Sequence, residues 1–242
     1  MNNVRIKVGK LDPTAPISRQ VHSWLRDAII RNEFAPGDRI SESEIAKAFD
    51  VSRQPVRETF IKLSGEGLLM ILPQRGTVIS KIEYTTVLDA RFLREAIEAD
   101  IVRIVVSNPD ARLIKELRKQ LVAQHAVASD APLEFRELDE EFHRTLASAA
   151  GKAGAWRQIE GLKSQMDRVR HLTLSAFPVD TLIDQHTTIV NRIEAGDREG
   201  ADSAIRLHLR EVLKTLPEVY AAHPDVFEIP DGGLPDPVNT PI

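Results

Sequence analysis

Four ionisable side chains sit where a folded helix would bury them. In Leu138-Asp139-Glu140-Glu141-Phe142-His143, Asp139 and His143 are one helical turn apart and share a face with Phe135 and Leu146. His186 interrupts the apolar stripe Ile183, Ile189, Val190, Ile193, and His208 interrupts the stripe Ala201, Ala204, Ile205, Val212. Taking three imidazoles and a carboxylate out of water without partners is costly. One divalent cation shared by Asp139, His143, His186 and His208 would satisfy all of them, through imidazole nitrogens and a carboxylate oxygen. Such a set suits zinc first, and nickel, manganese or iron as well. The competing reading makes each histidine a core residue bonded to a neighbour. His22, His125 and His223 lie off these stripes, and His171 lies at the edge of its own.

Arg94 shares a helix face with Val87, Ala90, Ile97 and Ile101, where a guanidinium needs an anion. Either Glu98, one turn on, supplies it, or a small carboxylate effector does, held by Arg94 and by an open position on the metal. Arg168 and Arg170 are weaker candidates for the same task. Three histidines and a carboxylate can also activate a water molecule. No general acid or base stands beside them, however, and Glu140 is about 100° round the helix from Asp139. The expectation is therefore a binding protein and not an enzyme.

A second constellation lies near the N-terminus. Ser52-Arg53-Gln54-Pro55-Val56-Arg57 opens a helix. Arginine pairs bidentately with guanine and glutamine with adenine in the major groove. Ser52 and the free N–H groups of a helix start suit a phosphate. Arg75 beside Gly76 suits entry into a minor groove, where glycine lets the backbone come close. The plain alternative is a solvated helix face.

The elements that must hold these groups follow from periodicity and punctuation. Val21, Trp24, Leu25, Ala28 and Ile29 recur at helical spacing, and Pro36-Gly37-Asp38 breaks the pattern after Phe34. A second helix begins after Ser41 or Ser43 and runs to Phe49; Ser52 then caps a third, with Pro55 in its first turn. Leu68–Leu72 and Thr77–Ser80 alternate as two strands around Pro73-Gln74-Arg75-Gly76. Three helices and a hairpin over residues 16–80 make a winged helix-turn-helix. No strand signal follows Glu83. Helical patterns cover roughly 83–107, 110–128, 132–150, 154–176, 180–195 and 198–222, with breaks at Asn108-Pro109, Pro132, Gly151–Gly154, Phe177-Pro178 and Gly196-Asp197. The expected architecture is mainly α, a winged helix-turn-helix followed by an antiparallel helical bundle over 83–222. Residues 1–15 read as flexible and 223–242, with repeated Pro and Gly, as a disordered tail.

Composition agrees. The 242 residues carry a net charge of −4, yet residues 1–80 hold 12 Lys and Arg against 9 Asp and Glu, and the remainder 20 against 27. A basic front on an acidic back suggests that only the front meets a polyanion. The absence of cysteine excludes disulfides, iron–sulfur clusters and thiolate metal sites. With no run of 18 apolar residues and no apolar leader, the chain is expected in the cytoplasm, away from membranes.

The segment PGDRISESEIAKAFDVSRQPVRETFIKLSGEGLLMILPQRGTVIS resembles the DNA-binding domain of GntR-type transcription regulators. That resemblance implies that SRQPVRE opens a recognition helix, that QRG is the wing, and that Arg53, Gln54, Arg57 and Gly76 contact DNA. Ser43 stands where some members carry an arginine. The order Asp-x3-His, then His, then His in a later helix is similar to the FCD ligand-response domain of the FadR subgroup. It implies that Asp139, His143, His186 and His208 hold a divalent ion, and that the effector is a small organic or sugar acid. A homodimer on a palindromic double-stranded operator follows from two-fold symmetry. A repressor relieved by its effector is expected; the alternatives are a repressor whose signal is the metal itself, and a metalloenzyme fused to a DNA-binding domain.

Overall fold

The computed structural model of the protein describes residues 11–127, 132–172 and 179–237. The expected flexible start and the tail fall partly outside these residues, as does the break expected at Phe177-Pro178.

The N-terminal unit, or head, is built from α1 (Ile17–Ile30), β1 (Arg39–Ile40), α2 (Glu42–Phe49), α3 (Arg53–Gly65), β2 (Leu69–Leu72) and β3 (Gly76–Ile79). The hairpin β2–β3 pairs Leu69 with Ile79 and Leu72 with Gly76; β1, two residues too short for an alternation signal, adds to the far edge of β3. Ser41, not Ser43, caps α2: its hydroxyl accepts from the Glu44 amide at 3.1 Å and donates to the Glu44 carboxylate at 2.9 Å. Asp50, in the left-handed conformation at φ 52°, ends that helix and turns the chain into α3. The apolar faces of the three helices meet over Leu25, Ile29, Ile45, Val56, Phe60 and Leu63, all buried.

After the short β4 (Ile82–Glu83) come eight helices among the described residues: α4 (Tyr84–Val106), α5 (Ala111–Val127), α6 (Pro132–Ala149), α7 (Ala153–Leu162), α8 (Ser164–Leu172), α9 (Val179–Glu194), α10 (Arg198–Leu209) and α11 (Glu211–Ala222). A core of Val102, Leu117, Phe142, Leu146, Ile159, Ile189, Ile193 and Ile205 joins helices α4 to α7, α9 and α10. Gly196 at φ 67° and Asp197, which accepts from the Gly200 amide at 2.9 Å, fold α9 back on α10.

Three expectations are corrected. Residues 154–176 do not make one helix: a break at Lys163 separates α7 from α8, and the Lys163 amine turns inward to Glu140 and Asp167. Residues 198–222 break at Arg210, whose guanidinium is drawn to Glu95 on α4. Arg210 has no Pro or Gly beside it, and Gly161, two residues before Lys163, lies inside α7, so neither break is marked by local sequence. The third concerns the tail. Residues Pro224–Val226 form a 3-10 turn, and Phe227–Glu228 form β5, parallel to β4 with Ile82 opposite Phe227. One buried aromatic ring does this: Phe227 packs against Tyr84 and Tyr220, and anchors a segment whose composition alone reads as disordered.

Candidate functional site

Asp139 and His143 on α6, His186 on α9 and His208 on α10 come together inside the bundle, each at most 2% exposed. One donor atom from each lies within 4.8 Å of the others. The Nε2 atoms of His143 and His208 are 3.1 Å apart, and those of His186 and His208 3.2 Å. Asp139 Oδ1 is 3.5 Å from His186 Nε2 and 3.9 Å from His143 Nε2. Helical spacing puts Asp139 and His143 on one face, and the α9–α10 reversal presents His186 and His208 to each other. Phe142 stacks on the His186 ring at 4.2 Å and closes one side.

What surrounds the four residues decides which atoms face inward. His143 Nδ1 lies 2.6 Å from Glu98 Oε2. His186 Nδ1 lies 2.9 Å from Gln124 Oε1, and the amide of Gln124 is oriented by donating to the Leu138 carbonyl. His208 Nδ1 lies 3.1 Å from Gln185 Oε1, whose amide is oriented by donating to Glu211. The Nδ1 atoms of His186 and His208 are within hydrogen-bond reach of amide oxygens, and that of His143 lies beside the Glu98 carboxylate without forming a hydrogen bond; with the protons on Nδ1, three Nε2 lone pairs converge. Asp139 Oδ1 joins them with no hydrogen-bond partner, while its Oδ2 accepts from Arg170 at 2.9 Å. Acceptors gathered without a donor fit a cation, and outer partners of this kind are what metal-ligating histidines use.

The electrostatics point the same way. Burial pushes the His186 imidazole down to about 3, against the pull of Asp139. Burial, reinforced by His186 and His143, also holds His208 well below the usual histidine range. Burial works to raise Asp139, but its charged surroundings, Arg170 first, hold the carboxyl well below the usual carboxylate range. Two neutral imidazoles and a carboxylate are the protonation states a metal requires.

Arg94 is buried, and its Nε donates to Glu98 Oε1 at 2.7 Å. Of the two partners the sequence allows, the structure supplies the internal one, and the chain Arg94–Glu98–His143 ends at the cluster. Arg168 is elsewhere, donating to the Ser80 carbonyl at 2.9 Å where the bundle meets the head. Gln124 and Gln185 are the functional neighbours that sequence reasoning missed. Gln124 carried a faint signal, an amide on the buried face of α5 with Ile114, Leu117 and Leu121; Gln185 carried none.

On the head, Ser52, Arg53, Gln54, Arg57, Arg75 and Gly76 are all exposed, and Pro55 is half-buried at the third position of α3. Ser52 occupies the N-cap position but makes no side-chain capping bond, so its hydroxyl stays on the surface with the amides of the helix start. Arg53 has only a loose ion pair with Glu42 at 3.8 Å, and Gln54 donates to Glu58 at 3.1 Å. Gly76, at φ 93° in the β2–β3 turn, takes a conformation other residues rarely adopt.

Comparison with known proteins agrees with both halves. Residues 17–79 match the model of the bacterial regulatory proteins of the gntR family, and residues 89–211 match the FCD domain. The chain is 36% identical over 220 residues to the HTH-type transcriptional repressor RspR of Escherichia coli (strain K12), covering 90% of this chain and 96% of that one. It is 28% identical over 198 residues to a protein of Paenarthrobacter nicotinovorans named "Probable D-xylose utilization operon transcriptional repressor", covering 81% and 87%. Among solved structures, E. coli McbR/YncC superposes with a TM-score of 0.70 at 18% identity over 86% of this chain and 99% of that one, a likeness of fold. No helix among the described residues is long and apolar enough to cross a membrane. The chain belongs to the GntR family of bacterial regulatory proteins, as a transcription regulator with a DNA-binding winged helix-turn-helix and an FCD domain.

Proposed function

We propose that the protein is a homodimeric repressor whose operator binding responds to a small organic or sugar acid bound at a divalent metal in the helical bundle. Residues 16–80 serve as the DNA-binding domain and 83–222 as the effector-binding and dimerisation domain. The observation that carries the metal is the convergence of three Nε2 lone pairs and Asp139 Oδ1, with every Nδ1 turned outward. Asp139, His143, His186 and His208 would hold the ion, and zinc comes first among those the donors suit. Bound there, it supplies a Lewis-acidic position for a carboxylate. Arg94, whose Nε donates to Glu98, supports the site through His143, and the acid is held by Arg94 and by an open position on the metal.

On DNA, Arg53, Gln54 and Arg57 read base edges, Ser52 and the α3 N-terminus take a phosphate, Pro55 presets the first turn, and Arg75 with Gly76 enters the minor groove. The acid must favour one arrangement of the two heads, because an effector without such a preference shifts nothing.

Elemental analysis of the dialysed protein beside the Asp139→Ala/His208→Ala double variant tests the metal. About one divalent ion per chain in the wild type, lost in the variant, is expected for a shared site. No ion in either, with none taken up on addition, makes the histidines plain core residues.

A further inference from the structure

Helix α8 touches both the head and the metal-ligand cluster, with different residues. Three of its side chains hold head backbone: Ser164 Oγ donates to the Glu66 carbonyl at 3.0 Å, Gln165 Nε2 to Gly67 at 2.7 Å, and Arg168 to Ser80 at 2.9 Å. A fourth, Asp167, faces Arg26 of α1 at 3.4 Å. At the far end of the same helix, Arg170 donates to Asp139 Oδ2 at 2.9 Å. At the near end, Lys163, in the α7–α8 break, is held by Glu140, the residue that follows Asp139. Adjacent residues of α6 thus grip the two ends of a lever whose middle holds the head.

We infer that α8 carries the state of the four-donor site to the DNA-binding head, with Arg170 as its input and Lys163 as its pivot. The inference rests on the metal reading given above. Asp139 is the shared part: Oδ1 faces the three Nε2 atoms and Oδ2 faces Arg170. Without a cation, converging lone pairs and a carboxylate oxygen repel one another, and among the described residues Arg170 alone holds Asp139 against that repulsion. A cation between them fixes Oδ1, and with it the oxygen that Arg170 requires. An acid entering beside the ion would offer Arg170 a second carboxylate and draw it from Asp139. Seven residues of helix separate Lys163 from Arg170, about 10 Å of lever, so a small swing at Arg170 changes the seat of Ser164, Gln165 and Arg168.

The seat itself is poised to give way. Arg168 is fully buried and, among the described residues, meets a carbonyl and the Gln165 amide oxygen and leaves Nε and Nη2 unbonded. Burying a guanidinium without a carboxylate is unfavourable, and water would take up those N–H groups if the head lifted. Arg168 thus favours release while Ser164, Gln165 and Asp167 favour docking, the opposition a two-state element needs.

Amide hydrogen exchange of the full chain, metal-free and loaded with zinc, tests the lever. In the wild type, zinc should slow exchange at Glu66–Leu68 and Ser80 at least about fivefold, the low end of coupling between sites. In Arg170→Gln, which removes an outer partner of Asp139 and should weaken zinc binding, zinc added to saturation should leave those amides unchanged. The same slowing in Arg170→Gln, or none in a wild type that binds zinc, overturns the proposal. If the wild type binds no zinc, the metal reading fails, and metal-free Asp139→Ala decides the lever alone. Faster exchange at the same head amides upholds it, and unchanged exchange ends it.

Discussion

Glu98 divides its carboxylate between two buried groups, with Oε2 2.6 Å from His143 Nδ1 and Oε1 accepting from Arg94 Nε at 2.7 Å. Burial works to raise this acid, but Arg94 and His143 hold it down at about 2. It is therefore ionised when it fixes the tautomer of His143 and turns Nε2 toward the cluster. Replacing it by Glu98→Gln keeps the shape and removes the charge. The expected outcome is a 10- to 100-fold loss of metal affinity, on the order seen for outer-shell partners, at unchanged stoichiometry. Competition with a chromophoric chelator measures it, and an unaltered affinity would remove Glu98 from the site.

Metal binding should also be a folding energy. Because the four donors come from three helices, the ion binds the folded chain and not the unfolded one. At a free zinc concentration about 100-fold above Kd, stability should rise by roughly 2.7 kcal/mol. Thermal unfolding with zinc and with EDTA reads this, and His186→Ala should show no difference between the two conditions.

The head makes an independent prediction. Arg57→Ala should weaken binding to a selected operator duplex by about 1–3 kcal/mol and relax base preference at one position. Arg75→Ala, if its partner is minor-groove backbone, should lower affinity evenly across sequences and reduce the salt slope by about 1. Titrations at several salt concentrations separate the two, and an Arg57→Ala protein with full affinity would take that residue out of the reading helix.

Acid stability should depend on Glu95. Burial would raise this carboxyl, but Arg210, Arg206 and Arg91 bring it down to about 2 from its ordinary 4.5. A carboxylate whose folded value is depressed contributes stability above its unfolded value and loses it as pH falls toward the folded one. The stability of the wild type should thus decline between about pH 4.5 and 2, at up to roughly 1.4 kcal/mol per pH unit for this proton. Urea unfolding across that range should show a shallower decline in Glu95→Gln.

The tail anchor can be tested by Phe227→Ala. Removing a buried ring costs about 3–5 kcal/mol where the surroundings cannot collapse, and the loss should free β5 from β4. Measured stability unchanged in the variant would return residues 223 onward to the disordered reading.

Much of this was legible in the chain. Local periodicity named the helices on which His143, His186 and His208 are buried, and the turn residues named the head and its wing, because both signals act over a few residues. Asp139 with His143 on one face follows from the same short range, which left Ser41 and Ser43 both open as the cap of α2. Breaks at Lys163 and Arg210 did not show, since their causes are Glu140, Asp167 and Glu95 on other turns or helices. Phe227 hid within a tail rich in Pro and Gly because composition averages over the one ring that matters.

Local sequence settled most of the helices, the head with its hairpin, and that three imidazoles and a carboxylate lie on buried faces, but not the breaks at Lys163 and Arg210 or the strand at Phe227. Only the tertiary structure decided that their donor atoms meet, that each Nδ1 is turned outward, and that Arg94 belongs to Glu98. The reason is distance along the chain. His143 and His208 are 65 residues apart and His186 and Gln124 are 62 apart, so packing alone brings them within hydrogen-bond reach.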